Sequence, residues 1–177
     1  MPRGASTGVA LPNGWAWTEQ DWRNISGMVK LEVMHSPPWT VYIDGSAVPN
    51  PGHMRIGGVA YAPDGSSRCF SHALDHTGCN NEAEVQAAIH ALQWLHAQQV
   101  RQLLLFTDNS ILAEQMSLPK PKPIARLLPL YEQARSLMPL FDSVQVRWIP
   151  RHKNAVADAL ARGEPVEGAA PQVAVPG

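Results

Sequence analysis

Four acidic residues stand where carboxylates can act together chemically. Asp44 ends the strand-like run VYID, and Asp108 ends the apolar run LLLFTD. Glu84 lies in the first turn of a long amphipathic helix, and Asp158 lies in a short helix near the end of the chain. Sites in an open α/β sheet form at the carboxyl ends of strands, so we expect these carboxylates to converge on one edge.

Each acid also has a structural explanation of its own. Asp44 and the glycine after it could form a hairpin turn, although the two prolines that follow favour a turn at residues 50–52. Asn81 and Glu84 have the spacing of a capping box. Asp108 could cap the helix that follows it, and the fourth acid could face solvent. Taken singly, none of the four requires a functional role.

Taken together, the four acids predict a metal site. Carboxylates that converge repel one another at neutral pH unless divalent cations lie among them. A ligand set made only of oxygens favours Mg²⁺ or Mn²⁺ over zinc. Two such ions about 3.5–4 Å apart would clamp an attacking water and the leaving oxygen of a phosphodiester. The chemistry indicated is metal-assisted hydrolysis.

The elements that must position these acids alternate regularly along the chain. Three strands (WTVYID, IGGVAYA, SSRCFSHAL) precede a strong helix, NNEAEVQAAIHALQWLHAQQ. The buried strand QLLLFTD, a short helix and a longer helix follow, and Pro129 either kinks the longer helix or marks its start. The strand SVQVRWI and the helix NAVADALAR come last. This order predicts an α/β fold with a mixed five-stranded sheet, three antiparallel strands then two parallel ones, and helices on both faces.

The chain divides into three segments. Residues 1–38 form an N-terminal extension with a predicted helix, which places Trp22, Ile25 and Val29 on one face. Residues 39–162 form the main domain. Residues 163–177 are rich in proline, glycine and alanine and are predicted to be a flexible tail.

The composition restricts the environment and the partners. With 14 Lys and Arg against 15 Asp and Glu, the net charge is -1, so any nucleic acid must be bound by a local patch. Cys69 and Cys79 lack a Cys-x-x-Cys spacing, which fits a reducing compartment. The sequence shows neither a leader-like apolar segment nor a membrane span, so we expect a cytoplasmic protein.

A second group of possible metal ligands lies before the long helix. The stretch CFSHALDHTGC holds Cys69, His72, His76 and Cys79, all of which can bind zinc. Strand alternation places Cys69 and His72 on opposite faces, and Cys79 enters the helix start. A zinc site is therefore not predicted.

Four sequence blocks together resemble those of a known family. YIDGSAVPNPG, NNEAEVQAAIHAL, LLFTDNS and IPRHKNAVADALAR look like the successive active-site blocks of type 1 ribonuclease H, in the family's order. The chain lacks the basic helix and loop of many bacterial members, and in this it is similar to the archaeal and plant-like subgroup. Residues 39–162 are then the catalytic domain.

The resemblance implies an enzyme that hydrolyses the RNA strand of RNA–DNA hybrids and leaves 5′-phosphate and 3′-hydroxyl ends. It implies two Mg²⁺ ions, with Mn²⁺ as an alternative, held by the four acids. Glu84 rather than Glu82 has the family spacing after the Asn-Asn pair. The residues that match substrate contacts are Gly45, Ser46, Asn50, Asn80, Asn81, Arg151 and Asn154. Asparagine amides suit 2′-hydroxyls and base edges.

The chain departs from the family at several positions. Cys79 replaces a threonine that binds a DNA phosphate, and a thiol is a poor donor. Trp148 stands where many members have the histidine of the catalytic loop, and His152 is a candidate substitute as proton carrier. Exposed basic residues are candidate phosphate contacts, and we expect weak, salt-sensitive binding. These residues are Lys120, Lys122, Arg126, Arg151 and Lys153.

Two other functions stay open on the same fold. One is a different nuclease or a recombinase, and the other is a non-catalytic binding module with the N-terminal segment as a docking site for a protein partner. The presence of all four acids favours the enzyme, since a non-catalytic domain need not keep them. We expect the enzyme to act as a monomer.

Overall fold

The structure is a computed structural model that describes residues 37–168 and 170–171. The chain forms two units, Met1–Pro37 and Pro38–Gly177, and every element below belongs to the second. The predicted N-terminal helix lies outside the described residues, and so do residues 169 and 172–177 of the predicted tail. The division of the chain into three segments stays a prediction.

Three antiparallel strands form one half of the sheet. They are β1 (Trp39–Val48), β2 (Gly52–Tyr61) and β3 (Ser67–Gly78). β1 is longer than predicted, because β2 supplies it with antiparallel partners as far as the pair Val48 and His53. The prediction that Asp44 ends its strand is therefore wrong.

Two parallel strands complete the mixed sheet. They are β4 (Gln102–Thr107), which pairs with β1, and β5 (Ser143–Trp148), which pairs with β4. A two-residue strand, β6 (Ala170–Pro171), pairs with β3, so the order across the sheet is β5-β4-β1-β2-β3-β6. The predicted arrangement of five strands is confirmed, and β6 is a short addition at the edge.

The helices lie between and after these strands. They are α1 (Asn80–Ala97), α2 (Ser110–Ser117), α3 (Leu128–Leu137) and α4 (Ala155–Ala161), with short 3-10 helices at Ala125–Leu127, Met138–Leu140 and Arg151–Lys153. Pro129 lies in the first turn of α3 and marks its start, where proline costs no hydrogen bond. In the part of the chain that the structure describes, no helix has the length and apolar character needed to cross a membrane.

The main core lies between the sheet and α1. Val41 and Ile43 of β1 are completely buried there, as are Val85 and Leu92 of α1. Burial of each such side chain contributes roughly 1.5–3 kcal/mol. Because side chains alternate along a strand, the burial of Val41 and Ile43 fixes the direction of their neighbours and turns Asp44 away from the core.

α4 covers part of the opposite face of the sheet. Leu160 of this helix packs against Val59 and Cys69. The backbones approach closely at Gly57, where a Cβ atom would lie 2.3 Å from the nitrogen of Ala161. Glycine at position 57 is therefore required for α4 to lie this close to β2.

Two serine hydroxyls on the sheet hold the end of α4. Ser46 Oγ donates to the carbonyl of Ala161 at 2.9 Å, and Ser71 Oγ donates to the carbonyl of Leu160 at 2.6 Å. The last carbonyls of a helix have no partner within the helix, so Ser46 supplies a donor to Ala161, and Ser71 adds a second donor to Leu160 beside the N–H of Gly163. The bonds fix α4 in position on the sheet.

Candidate active site

Asp44 lies on β1 just past the point where its neighbour β4 stops pairing. The parallel ladder between these strands ends at Tyr42 and Phe106, whereas β1 runs on. The side chain of Asp44 is only 6% exposed. The open side of β1 beyond the ladder is the space in which other acidic groups can approach it.

Gly45 allows Glu84 to be one of those groups. α1 crosses β1 so closely that a Cβ atom on Gly45 would lie 2.2 Å from the carbonyl carbon of Ala83 and 2.4 Å from the nitrogen of Glu84. Only glycine permits this approach. The glycine after Asp44 therefore serves the crossing of helix and strand, and not a hairpin turn.

The predicted capping box of α1 is wrong. Cys79 is the N-cap residue and its side chain makes no capping hydrogen bond. The helix begins at Asn80, as its sequence pattern predicted and one residue before the N-cap that the capping box would require, and the backbone N–H of Asn80 donates to Asn50 Oδ1. Asn81 and Glu84 are then too far along the helix for reciprocal capping. The carboxylate of Glu84 is left for the site.

Asp108 follows β4 directly and completes a cluster of three acids. Asp44, Glu84 and Asp108 each offer a carboxylate oxygen, and these oxygens lie within 4.8 Å of one another. Within the described residues, this is the one group of three or more acidic, histidine or cysteine side chains arranged to hold a metal ion. Asp108 does not cap α2, since Asn109 takes that role.

Burial and mutual repulsion disfavour the charged forms of these acids. Loss of water raises the pKa of Asp44 to about 6, and the charges of Asp108 and Asp158 add to the rise. The pKa of Glu84 is raised well above its usual value, first by burial and then by the charge of Asp44. Burial also raises the pKa of Asp108, against the opposing effect of Arg151. Without a cation, the cluster therefore keeps its protons to a higher pH than separate, exposed carboxyls would.

The cluster fits a hard divalent cation. Glu84 Oε2 is buried and has no hydrogen-bond partner among the described residues. A buried carboxylate oxygen without a donor is unfavourable, and a cation would remove that penalty. Carboxylate oxygens without histidine or cysteine suit Mg²⁺, Ca²⁺ or Mn²⁺. The three acids can therefore hold a divalent metal ion.

Asp158, the fourth predicted acid, lies at the border of the cluster. Its Oδ1 accepts from Arg151 Nη2 at 3.4 Å, and its Oδ2 accepts from Nη1 of Arg162, the residue that follows α4. Its charge nevertheless raises the pKa of Asp44 and of Asp108. The structure thus assembles three of the predicted acids and places the fourth beside them between two guanidinium groups.

The three predicted asparagine contacts surround the start of α1. Asn80 Oδ1 accepts from the backbone N–H of Ala47 at 2.8 Å, and Asn50 Oδ1 accepts from the backbone N–H of Asn80 at 3.1 Å. Asn81 Oδ1 accepts from Asn109 Nδ2 at 2.9 Å. These bonds join the turn after β1, the start of α1 and the start of α2 into one polar surface, which we call the asparagine surface.

Asn109 is a functional candidate that sequence reasoning missed. Its Oδ1 accepts from the backbone N–H of Leu112 at 2.9 Å and so caps α2. An asparagine between an apolar strand and a helix is a recognisable capping signal. The capping role of Asn109 can be predicted from the sequence. Its hydrogen bond to Asn81 cannot, because Asn81 lies on another helix and leaves no pattern in the sequence around Asn109.

Three other predicted substrate contacts are engaged inside the protein. Asn154 is 1% exposed, and its Nδ2 donates to the carbonyl of Ile43 at 2.9 Å. Ser46 holds the end of α4, and Gly45 lies under α1. These residues position the strand that carries Asp44. Their contact with a substrate stays a prediction.

The predicted phosphate contacts are exposed basic side chains, and two of them adjoin residues of the site. Arg151 is exposed beside Asp158, and Arg126 Nη2 donates to Cys79 Sγ at 3.1 Å. A guanidinium therefore stands at the N-terminus of α1, where the thiol alone would bind a phosphate poorly. The remaining predicted phosphate contacts are exposed, and these are Lys120, Lys122 and Lys153.

His152 lies outside the acidic cluster. It is exposed and lines a cavity of about 460 Å³ together with Tyr42 and Tyr61. Its role as a proton carrier stays a prediction. Trp148, at the position of the usual histidine, instead donates from Nε1 to the carbonyl of Asp108 at 3.0 Å and is 54% exposed.

The four possible zinc ligands do not meet. Cys69 is buried against Leu160, whereas the ring of His72 faces that of His90 with centroids 4.9 Å apart. His76 bonds to a neighbouring aspartate and approaches the first turn of α1. The side chains of Cys69 and His72 therefore lie on opposite faces of the strand, as the alternation of strand residues predicted.

The chain has relatives of known family. The reverse transcriptase-like family matches residues 42–163. The bifunctional protein Rv2228c of Mycobacterium tuberculosis is 31% identical over 119 residues, which are 67% of this chain and 33% of that protein. The putative hydrolase EbsB of Enterococcus faecalis is 31% identical over 126 residues, 69% of this chain and 90% of that protein. The chain thus spans a third of the length of its mycobacterial relative and most of the length of EbsB.

Solved structures share the fold. The N-terminal ribonuclease H domain of Rv2228c superposes with a TM-score of 0.66 at 29% identity, over 71% of this chain and 91% of that chain. Ribonuclease H1 from Halobacterium salinarum gives a TM-score of 0.63 at 27% identity, over 71% of this chain and 96% of that chain. The LC11 ribonuclease H1 bound to an RNA/DNA hybrid gives a TM-score of 0.62 at 25% identity, over 71% of this chain and 95% of that chain.

The matched span, residues 42–163, contains all four acids, the asparagine surface and every strand of the mixed sheet except the short β6. β1 alone begins slightly before it. The family match therefore covers the part of the chain that forms the site. The chain belongs to the reverse transcriptase-like family, in its type 1 ribonuclease H branch.

Proposed function

We propose that this domain is an endonuclease that hydrolyses the RNA strand of RNA–DNA hybrids and leaves 5′-phosphate and 3′-hydroxyl ends. The observation that carries the proposal is the set of carboxylate oxygens from Asp44, Glu84 and Asp108 within 4.8 Å of one another. The asparagine surface beside this cluster supports the choice of substrate. So does the family, in which one solved relative is bound to an RNA/DNA hybrid.

Asp44, Glu84 and Asp108 would hold divalent cations, Mg²⁺ or else Mn²⁺, with Asp158 joining from α4. When bound, two such ions activate water and neutralise charge on the phosphate that is cleaved. The chain's own contribution is to bring the carboxylates together by the crossing at Gly45. Arg151 and Arg162 bind the carboxylate of Asp158 and hold it next to the cluster, where it could join the other acids as a metal ligand.

The hybrid would be recognised by amides and held by a small number of cations. The 2′-hydroxyl distinguishes RNA from DNA, and asparagine amides suit it as well as base edges. Arg126 at the start of α1 and exposed lysines nearby would contact phosphates. Because the net charge is -1 and the contacts are few, binding should be weak, and it should weaken further as salt rises, in proportion to the number of phosphates contacted.

We infer that the domain works as a monomer in the cytoplasm. Cys69 and Cys79 form no disulfide with one another, which fits a reducing compartment. His152 would carry a proton or assist the release of product from its exposed position beside Asn154. The N-terminal segment, residues 1–38, would dock a protein partner.

The proposal is tested by cleavage of an end-labelled RNA–DNA hybrid at low salt. Duplex RNA, duplex DNA and single-stranded RNA serve as comparison substrates, each with Mg²⁺, Mn²⁺ or chelator. Asp108→Asn removes one carboxylate of the cluster, and Asp142→Asn is a matched control at an exposed ion pair with Arg101. We expect cleavage of the RNA strand in the hybrid alone, at least 100-fold slower (about 3 kcal/mol) in Asp108→Asn.

Cleavage lost with chelator and in Asp108→Asn, but kept in Asp142→Asn, would support the enzyme and its metal site together. A folded protein that cuts no hybrid with either metal would contradict the proposal and favour the binding module. Equal cleavage of other duplexes would instead favour a nuclease of different specificity.

A further inference from the structure

We propose that the asparagine surface presents only hydrogen-bond donors, and no acceptors, to the minor groove of the bound duplex. We propose further that Asn109 fixes the orientation of the Asn81 amide, so that its amino group points outward. The inference rests on the proposed function, because it concerns how the hybrid is read. It assigns Asn109 as a positioning residue and predicts a preference among base pairs near the cut.

The polarity of the first two amides follows from their backbone partners. A backbone N–H can only donate, so the side-chain atom that faces it must be an oxygen. Asn80 faces the N–H of Ala47, and Asn50 faces the N–H of Asn80 itself. The Oδ1 atoms of both side chains are therefore turned into the protein. Both residues are exposed, and their Nδ2 groups are left for a ligand.

The polarity of Asn81 is set through one further step. The N–H of Leu112 fixes Oδ1 of Asn109, so the other end of the Asn109 amide is a donor. That donor faces Asn81 at 2.9 Å, and the atom of Asn81 that receives it is therefore Oδ1. Within residues 37–168, Nδ2 of Asn81 makes no hydrogen bond. The cap of α2 thus orients an amide at the start of α1.

Three outward amino groups select acceptors on the ligand. In the minor groove, A·T and A·U pairs show only acceptors, whereas G·C pairs add the N2 amino group of guanine, which is a donor. A guanine amino group placed against this surface would meet another donor. Hybrids with A·T or A·U pairs at the contacted positions should therefore bind more tightly than hybrids with G·C pairs there.

The test uses inosine, which differs from guanine only by the absence of the N2 amino group. Hybrids with guanine or inosine across the stretch around the cut are compared for KM and kcat, and for binding in chelator by fluorescence anisotropy. Asn109→Asp keeps the cap of α2 but can only accept, so Asn81 must turn its oxygen outward. Asn109→Ser keeps a capping hydroxyl without the reach to Asn81.

Ser110→Asp is the charge-matched control, because it adds a carboxylate one residue later at an exposed position. In wild type and in Ser110→Asp, inosine should lower KM and the dissociation constant about fivefold or more, with little change in kcat. In Asn109→Asp the two hybrids should differ less than twofold. Asn109→Ser should bind both hybrids more weakly than wild type does. Thermal denaturation should show every variant folded.

An inosine effect of equal size in wild type and Asn109→Asp would overturn the role of Asn109, since it would then arise from the duplex alone. The absence of any inosine effect in wild type, with the hybrid still cleaved, would overturn the donor-only surface and leave the proposed function standing. A hybrid that is bound but not cleaved would count against the enzyme, while the anisotropy data would still decide the polarity.

Discussion

The carboxyl of Asp44 has lost most of its water without gaining a cationic side chain as partner. Burial is the largest cause of its raised pKa, and its nearest charged groups are other acids. Glu84 is in the same position and carries an oxygen with no hydrogen-bond partner among the described residues. Such an arrangement weakens the metal-free fold and is compensated when a cation binds.

Metal-free protein should therefore lose stability as pH rises. In the unfolded chain these carboxyls titrate near pH 4, whereas in the folded protein burial raises the pKa of Asp44 to about 6 and raises the pKa of Glu84 well above its usual value. The folded state binds more protons in this interval, so the free energy of unfolding falls between about pH 4 and pH 7. Asp44→Asn should be more stable than wild type at pH 8 in chelator by about 2 kcal/mol.

Urea denaturation in chelator between pH 4.5 and pH 8.5 measures this difference. Glu132→Gln, on the exposed face of α3, removes a carboxyl without touching the cluster and should follow the wild-type curve. An Asp44→Asn curve parallel to wild type across the whole range would show that the cluster does not control the pH dependence.

The position of α4 depends on contacts that its own sequence does not reveal. Seven residues make a short helix, and the isolated segment would not be stable in water. Its place on the sheet is set by the glycine at position 57 and by the hydroxyls of Ser46 and Ser71. Because α4 carries Asp158, these contacts decide where the fourth acid stands.

Gly57→Ala should move α4 away from the sheet. The new Cβ would lie 2.3 Å from the nitrogen of Ala161 and 2.5 Å from the carbonyl carbon of Leu160, and neither backbone atom can yield without a shift of the helix. We expect a loss of about 2–4 kcal/mol in the free energy of unfolding and at least a tenfold loss of cleavage rate. Urea denaturation and hybrid cleavage measure the two effects. Wild-type values for both would contradict the close contact.

Ser71→Ala should have a smaller effect of the same kind. It removes the hydroxyl that donates to the carbonyl of Leu160, which keeps only the backbone N–H of Gly163 as a donor, and should cost about 1 kcal/mol. Ser136→Ala is the matched control, because that exposed hydroxyl donates only to the carbonyl of Gln133 within its own helix. Urea denaturation of both variants gives the comparison, and equal losses would mean that the contact with α4 contributes nothing specific.

The whole domain should be stabilised by a divalent cation that binds at the acidic cluster. Binding to the folded state alone raises the free energy of unfolding by about 2.7 kcal/mol when the metal stands at 100 times its dissociation constant. We expect Mg²⁺ or Mn²⁺ to raise the melting temperature of the wild type, and to do so more at pH 8 than at pH 5, where protons compete. The same rise in Asp44→Asn would place the stabilising metal elsewhere.

Much of this molecule could be predicted from the sequence, for physical reasons. The continuous apolar run of β4 predicts a buried strand, and the apolar stripe of α1 predicts an amphipathic helix. Asp108 directly follows the first and Glu84 lies in the second, so their elements could be predicted as well. Local reasoning failed where a distant partner decided the outcome. β1 extends beyond Asp44 because β2 pairs with it, and the capping box of Asn81 and Glu84 is absent because the N–H of Asn80 is already bonded to Asn50.

The same limit applies to side chains that turn inward. Asn154 is a polar residue in a loop and would be expected at the surface, yet it is buried and its side chain donates to the carbonyl of Ile43. Asn109 bonds to Asn81 across 28 positions of the chain. Pairings between distant segments are set by the closed fold, and the sequence pattern around either residue contains no trace of them.

Trp148 provides the domain with an optical reporter. Its indole N–H donates to the backbone carbonyl of Asp108, and its ring is more than half exposed. A cation drawn to the carboxylate of the same aspartate changes the electric field at an indole that is already sensitive to solvent. Titration with metal should therefore alter the intrinsic emission without any attached label, and Trp148→Phe should remove that part of the signal.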